Sequence, residues 1–135
     1  STGSLIILVV NFQEEHIATS LRRDDINAVY RQAAAEDPHG YLHYSAKQNV
    51  SGDIIGWPRA AAIIEGHETH TRTAEVTFDL NSIPGVPDSV LDAVKHHVYR
   101  IPITQAVIYG WYDNEMGSYV NMLGDRTVTV ADHMM

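Results

Sequence analysis

Two spacings of apolar residues alternate along the chain, and each predicts a different kind of element. An unbroken apolar run at 5–10, rich in Ile and Val, predicts a buried strand that continues to about residue 13. Apolar residues then recur every three or four positions, which predicts a helix that opens at Asp24 or Asp25. That stripe comprises Ile26, Val29, Tyr30 and Ala33. A Pro-His-Gly segment at 38–40 is expected to end the helix.

The middle of the chain predicts shorter elements. Residues 41–44 are expected to form a short strand and residues 50–55 a second one, followed by a turn at 56–58. The segment 60–65 fits either a short strand or one helical turn, and the pattern leaves both open.

A strand, a loop and a helix are predicted next. Apolar and polar residues alternate strictly over 74–80, which is typical of a strand with one exposed face. Residues 81–87 carry loop-forming types, and Asp88 is expected to cap a helix. The apolar side of this helix comprises Val90, Leu91, Val94 and Val98. An Arg-Ile-Pro segment at 100–102 is expected to break it.

A strand that leads directly into a helix is predicted near the end of the chain. The strand covers 104–112, and Asp113 and Asn114 follow it as small polar residues that can cap a helix. Glu115 suits the positive end of the helix dipole. Strand-to-helix junctions often present polar groups to a ligand, so this is the first candidate site.

The last segment carries two patterns. Apolar residues suit a helix through Leu123, and these are Met116, Tyr119, Val120 and Leu123. After Gly124 the alternating β-branched residues at 127–130 favour a strand instead. The end of the chain therefore stays open between the two.

These elements predict an α+β fold, with a largely antiparallel sheet and two or three helices packed on it. The whole chain, residues 1–135, is expected to form a single domain. A core strand so near the first residue is what we expect of a fragment cut from a larger protein.

Composition excludes several classes of function. A net charge of −8 argues against nonspecific binding to nucleic acid or to an anionic membrane, and we expect neither partner. The chain has no cysteine, which rules out disulfides, thiolate metal sites and a cysteine nucleophile within it. Neither a transmembrane stretch nor a signal peptide is visible, so a cytoplasmic location is the expectation.

One long motif resembles a known family. Residues 109–117, Tyr-Gly-Trp-Tyr-Asp-Asn-Glu-Met-Gly, are similar to the signature near the C-terminus of glyceraldehyde-3-phosphate dehydrogenases. The family pattern is roughly Trp-Tyr-Asp-Asn-Glu, an aromatic residue or Met, then Gly-Tyr-Ser, and here the last pair is reversed as Ser118-Tyr119. The motif is long and uses rare residue types.

The middle of the chain resembles the same family. The family shows Gly-(Ile/Tyr)-Leu-x-Tyr after a helix and then Val-Ser-x-Asp with a following Gly. The matching residues are Gly40, Tyr41, Leu42, Tyr44, Val50, Ser51, Asp53 and Gly56. Two serines and an Asp that usually follow are replaced here by Ala60, Ala61 and Glu65. The resemblance covers about 5–56 and 105–119, and we interpret 66–103 as a helix-containing insertion.

The resemblance implies the C-terminal part of the catalytic domain of an oxidoreductase. Family members are homotetramers that oxidise glyceraldehyde 3-phosphate with NAD and phosphate, through a thioester on a Cys thiolate and with a His as base. The family places these residues, the phosphate-binding residues and the NAD-binding domain before the segment seen here. We therefore expect no catalytic residue in this chain and no activity from it alone. The choice between NAD and NADP is made in the absent part.

Two residues are implied to bind the coenzyme. In the family the Asn of the signature hydrogen-bonds the carboxamide of the nicotinamide ring, and this role falls on Asn114. The alternative for Asn114 is a plain helix cap. Tyr119 is a weaker candidate for packing near the ring, because the family Tyr falls at Ser118 by count.

Two other functions are weighed beside this one. The chain could be a stand-alone binding or oligomerisation module that reuses the fold. It could also bind a metal through His67 and His70, whose spacing would align both imidazoles on a helix. A third ligand is not evident and exposed loop histidines are the plainer interpretation, so no metal site is predicted. Hydrolase and phosphate-loop motifs are absent from the sequence.

Overall fold

Five strands form one mixed sheet in the computed structural model, which describes residues 3–114 and 118–134. The strands are β1 (Gly3–Gln13), β2 (Leu42–Ser45), β3 (Ala62–Glu65), β4 (His70–Asp79) and β5 (Val98–Asp113). Only β2 and β3 are paired in parallel, and every other pairing in the described sheet is antiparallel. The predicted α+β class with a largely antiparallel sheet is confirmed.

Four α-helices accompany the sheet in the described part of the chain. They are α1 (Arg23–Glu36), α2 (Ser51–Ile54), α3 (Asp88–Ala93) and α4 (Ser118–Met134), and short 3-10 turns lie at Ile17–Thr19 and Leu80–Ser82. Helix α1 begins at Arg23, one or two residues before the predicted start at Asp24 or Asp25, and the Asp25 carboxylate accepts the backbone N–H of Arg22 at 2.9 Å.

Strand β5 is the central element of the sheet. Along one edge it pairs with β1 from Ile103 to Asp113. Along the other it pairs first with β4, through 98–107, and then with β3 at Gly110 and Trp111. The C-terminal end of β5 therefore emerges between β1 and the short strands β2 and β3.

The core lies in two clusters on opposite faces of the sheet, because successive residues of a strand point to opposite sides. Helix α1 covers one face, where the buried residues are Ile26, Ile64, Ala106 and Ile108. Helix α2 covers the other, where Ile54, Ala60 and Ile63 pack with Trp111.

The strand predicted over the first residues is present, but its predicted burial is wrong. Leu5, Ile6, Ile7, Leu8 and Val9 of β1 are 43–56% exposed. The strand pairs with β5 along one edge only, and α1 and α2 lie over other parts of the sheet. Apolar residues on both faces of a strand indicate that the strand is suited to burial. Whether it is buried depends on which elements pack over it.

The strand predicted at 50–55 is wrong, since α2 forms there instead. The Asp53 carboxylate accepts the backbone N–H of Val50 at 2.9 Å, which caps the turn and overrides the β-branched composition. The short strand predicted at 41–44 is confirmed by β2. The segment left open at 60–65 contains the strand β3.

Boundaries differ from prediction around β5. Helix α3 ends at Ala93, and Val98, expected on the helix, is the first residue of β5. Pro102 was expected to break the preceding helix. It lies instead within β5, where its carbonyl accepts the backbone N–H of Glu14 at 2.9 Å. Pairing with β4 over this stretch continues the strand six residues ahead of its predicted start at Thr104.

Helix α4 continues through Gly124 to Met134, so the segment 127–130 is helical. The hydroxyls of Thr127 and Thr129 donate to carbonyls four residues earlier, at 2.8 and 2.9 Å. Their side chains are therefore satisfied inside the helix despite their β preference. The predicted N-terminal Glu115 lies outside the described residues.

Candidate functional site

The junction at the end of β5 starts with a buried carboxylate. Asp113 is 2% exposed, and its Oδ2 accepts the backbone N–H of Gly56 at 3.0 Å. Gly56 has a φ of 85°, a conformation that a residue with a side chain rarely adopts. This hydrogen bond ties the end of the central strand to the loop that follows α2.

Asn114 follows at once and is held from the other side of the junction. Its Nδ2 donates to Oγ of Ser4 at 2.7 Å, and the residue is partly buried. Ser4 lies opposite Tyr112 in the ladder between β1 and β5, so the bond to Asn114 runs diagonally across one face of the sheet. The described helix α4 begins at Ser118, four residues later, and residues 115–117 lie outside the described part.

A second buried carboxylate supports the strand just before the junction. Glu65, at the end of β3, is 3% exposed and accepts the indole N–H of Trp111. It also accepts the backbone N–H of Asn49 at 2.7 Å. Two donors stabilise a carboxylate that would otherwise be costly to bury. Glu65 thus fixes Trp111, and with it the course of β5 towards Asn114.

The second sequence-predicted coenzyme residue is placed only in part. Tyr119 is the second residue of α4, and its side chain lies outside what the structure describes. A role for Tyr119 therefore stays a prediction.

Asp125 of helix α4 contacts two residues of the body of the fold, Tyr41 and Arg59. The hydroxyl of Tyr41 donates to Asp125 Oδ2 at 2.7 Å, and Arg59 donates to the same oxygen. This hydrogen bond raises the pKa of Tyr41, burial and the charge of Asp125 add to the rise, and Arg59 opposes it. Arg59 has a φ of 66°, a backbone conformation that is uncommon for residues other than glycine, and its guanidinium is paired with Asp125.

The two histidines considered for metal binding do not share a helix. His67 lies in the turn after β3, and His70 is the first residue of β4, where its Nδ1 lies 3.0 Å from the carbonyl of Glu68. Within residues 3–114 and 118–134, the structure contains no group of three or more His, Cys, Asp or Glu that could hold a metal ion. No helix in the same described ranges has the length and apolar character needed to cross a membrane.

The sequence pattern singles out Asn114 as a candidate but not Ser4, which contacts Asn114, or Glu65, which contacts Trp111 on the same strand. Ser4 and Glu65 carry no local signal for their roles, because each is more than forty residues from its partner in sequence. Only the strand pairing brings them to the end of β5.

The fold and this junction define a class of protein. The chain is an α+β domain whose central strand carries a buried carboxylate and a tethered amide to one end of the sheet, an arrangement suited to supplying part of a ligand site.

Comparison with known proteins narrows this class. The chain is 32% identical over 133 residues, 98% of its length, to glyceraldehyde-3-phosphate dehydrogenase 2 of Streptomyces avermitilis. It is 34% identical over 113 residues, 83% of its length, to glyceraldehyde-3-phosphate dehydrogenase of Streptomyces coelicolor. The chain belongs to the glyceraldehyde-3-phosphate dehydrogenase family, as its motifs predicted. It spans 29% and 24% of the lengths of these relatives. No family model matches the chain.

Proposed function

We propose that the chain is the C-terminal part of the catalytic domain of a phosphorylating glyceraldehyde-3-phosphate dehydrogenase, with residues 66–103 as an insertion. Its direct contribution to the active site is Asn114, which binds the carboxamide of the nicotinamide ring. The observation that carries this proposal is the position of Asn114 within the matched motif, with its amide tethered at the end of the central strand.

The chemistry of Asn114 fits this coenzyme. A primary amide carries both N–H donors and a carbonyl acceptor, and the carboxamide of nicotinamide carries the same complementary set. When bound, NAD or NADP would supply the hydride acceptor for oxidation of the substrate. Asn114 holds the ring by its carboxamide, and Asp113 and Glu65 hold the strand that carries Asn114.

The reaction also needs groups that this chain does not contain. Nucleophilic attack on the aldehyde requires a Cys thiolate, and the chain has no cysteine. We therefore propose that the isolated chain is inactive and that it works in the cytoplasm together with a nucleotide-binding domain. Reduction of NAD by this chain with glyceraldehyde 3-phosphate and phosphate would contradict the proposal.

A titration of the chain with nicotinamide mononucleotide tests the role of Asn114 directly. The expected result is a change in the NMR signals of the Asn114 side-chain amide. Millimolar ligand is used because the contact is made without the rest of the coenzyme site, so the affinity is expected to be weak. Asn114→Ala should abolish ligand-induced changes around the end of β5. Asn81→Ala, in the exposed turn after β4, is the matched control and should leave them intact. Unchanged Asn114 signals in the wild-type chain would overturn the proposal.

A second candidate function is supported by the exposed apolar strand β1. Residues 3–13 contain no charged side chain, and both faces of the strand between Leu5 and Val9 are exposed. Exposed apolar surfaces of this kind are typical of interaction sites. A stand-alone oligomerisation module would form defined oligomers without NAD, and we propose a homo-oligomer for the dehydrogenase as well.

A further inference from the structure

We propose that Ser4 is a positioning residue, which holds the amide of Asn114 where it can pair with the carboxamide of a nicotinamide ring. This inference rests on the proposed function of Asn114. Ser4 lies outside the motif that points to the coenzyme and is 110 residues away in sequence. Neither residue type nor spacing marks it.

The position of Ser4 is determined by the sheet. It pairs with Tyr112 in a continuous antiparallel ladder that runs from Gly3–Asp113 to Gln13–Ile103. Beneath this end of β1 lies α2, since a Cβ placed on Gly3 would lie 3.6 Å from the side chain of Ser51. The Ser4 hydroxyl is thus presented from a strand held along its edge and supported from one face.

The hydrogen bond acts on the side chain of a residue that lies just beyond the paired part of its strand. Asn114 is the first residue beyond β5, so its backbone is outside the ladder that fixes Asp113. A bond of 2.7 Å from Nδ2 to Ser4 Oγ restricts rotation about both side-chain torsions. The amide is then held in one place before the ligand arrives.

Preorganisation of this kind affects affinity by a predictable amount. Immobilising one side chain on binding costs a factor of roughly 3 to 10 in the dissociation constant. If Ser4 has already fixed the amide, the ligand does not bear this cost. Loss of the hydroxyl should therefore weaken the contact of Asn114 with nicotinamide by the same factor.

The plainer role for this bond is to fasten the first strand to the end of the fifth. A further fastening is not needed, because eleven residue pairs already join β1 to β5. A fastening role and a positioning role also predict different results, since only the second predicts a change in ligand affinity with the fold intact.

Two isosteric variants separate the hydroxyl from all other effects. Ser4→Thr keeps the hydroxyl and Ser4→Val replaces it with a methyl group, while both side chains are β-branched and suit a strand. Ser82→Ala is a control, because it removes a hydroxyl that donates to the carbonyl of Asp79 at 2.7 Å in a different part of the chain.

The first measurement uses the ligand-free chain. NMR reports the exchange with solvent of the Asn114 side-chain amide protons and the order parameter of that amide. In Ser4→Val we expect exchange to become several-fold faster and the order parameter to fall. Ser4→Thr and Ser82→Ala should match the wild type. Equal exchange and order in Ser4→Val and Ser4→Thr would overturn the positioning role.

The second measurement titrates each variant with nicotinamide mononucleotide and follows Asn114. We expect the dissociation constant of Ser4→Val to be about 3 to 10 times that of Ser4→Thr. Equal constants with clear binding would overturn the inference about Ser4 and leave the function of Asn114 standing. A wild-type chain with no ligand response at Asn114 would overturn both. A Ser4→Val chain whose spectrum is no longer that of a folded protein would also count against positioning, since it would assign the hydroxyl a structural role.

Discussion

The carboxylate of Glu65 shows how one residue far from the motif stabilises the strand that carries it. It is buried at the end of β3 and accepts N–H groups from Trp111 and Asn49. A buried donor that loses its acceptor costs about 1–3 kcal/mol. Glu65 therefore links three segments of the chain through two hydrogen bonds to a single carboxylate.

We predict that Glu65→Ala lowers the free energy of unfolding by about 1–3 kcal/mol, because it removes the acceptor from two partly buried donors. Urea unfolding followed by the fluorescence of the two tryptophans, Trp57 and Trp111, measures the change. Glu68→Ala is the control, since the Glu68 side chain is 40% exposed and its Oε1 lies 3.9 Å from Nε2 of His67, and it should change stability by less than about 0.5 kcal/mol. Similar losses for both variants would mean that Glu65 is not a structural anchor.

The phenol of Tyr41 gives a prediction about pH. Its hydrogen bond to Asp125 raises its pKa above the ordinary value near 10. A raised pKa in the folded state means that the stabilisation is complete below about pH 10 and is lost as pH rises through the folded pKa. Three groups lie around the phenol. Asp125 accepts its hydrogen bond, Cζ of Arg59 lies 6.0 Å from the centroid of the Tyr41 ring, and the ring of His39 stacks on it with 5.1 Å between the ring centroids.

We therefore expect α4 to lose its attachment in alkaline solution between pH 10 and the folded pKa of Tyr41. Hydrogen exchange of α4 amides in the wild type should increase over this range relative to β5. Tyr41→Phe has no phenol to ionise. In this variant the protection of α4 relative to β5 should already be lower at neutral pH, and it should not change further over the alkaline range. A parallel alkaline change in both proteins would contradict this assignment.

At the scale of elements, α4 is oriented with a polar residue towards the body and apolar residues towards solvent. Asp125 contacts Tyr41 and Arg59. The exposed apolar residues of the described helix are Val120, Leu123, Val128, Val130 and Met134. Most described residues of this helix are exposed, so we expect the polar contacts of the Asp125 carboxylate to contribute strongly to its attachment.

Replacing that carboxylate should release the helix without unfolding the sheet. In Asp125→Ala we expect tryptic cleavage after Arg126 to become at least several-fold faster, because the protease needs the segment to open locally. Asp132→Ala, on the same helix, is the control and should be cleaved at the wild-type rate. The β-sheet signals of both variants should stay unchanged, and equal cleavage of the two would contradict the anchoring role.

For the whole molecule, the strand β1 matters because five consecutive apolar residues in it, 5–9, are exposed. Its residues alternate between the face that carries α1 and the face that carries α2, with Ile6 on the first and Ile7 on the second. Both are more than half exposed. Because the strand is uncharged, no repulsion between side chains opposes contact with another apolar surface.

The homo-oligomer that we propose should therefore be sensitive to charge on β1. We expect light scattering to give a defined oligomer for the wild type. Ile6→Lys should lower the mass if the interface covers the α1 face of β1, and Ile7→Lys should lower it if the interface covers the α2 face. Val29→Lys on α1 is the control for added charge on an exposed apolar residue. A wild-type chain that is monomeric at all concentrations would contradict the oligomer. Unchanged masses in both β1 variants would exclude this strand from the interface.

Much of the fold could be predicted from local pattern. Strict alternation located β4, the three-and-four stripe located α1, and the apolar run located β1. Predictions failed where a side chain or a neighbouring strand overrode local preference. Asp53 made a helical turn out of a β-branched segment, and pairing with β4 extended β5 back to Val98.

The sequence by itself determined the fold class, the family and the one residue, Asn114, that we assign to the coenzyme. These depend on short-range periodicity and on a contiguous motif, both of which can be recognised along the chain. The tertiary structure decided what holds that residue and which apolar surfaces are covered. Ser4 meets Asn114, and Glu65 meets Trp111, only because strands distant in sequence are neighbours in the sheet. The exposure of β1 likewise depends on where the helices lie, which no pattern within the strand can specify.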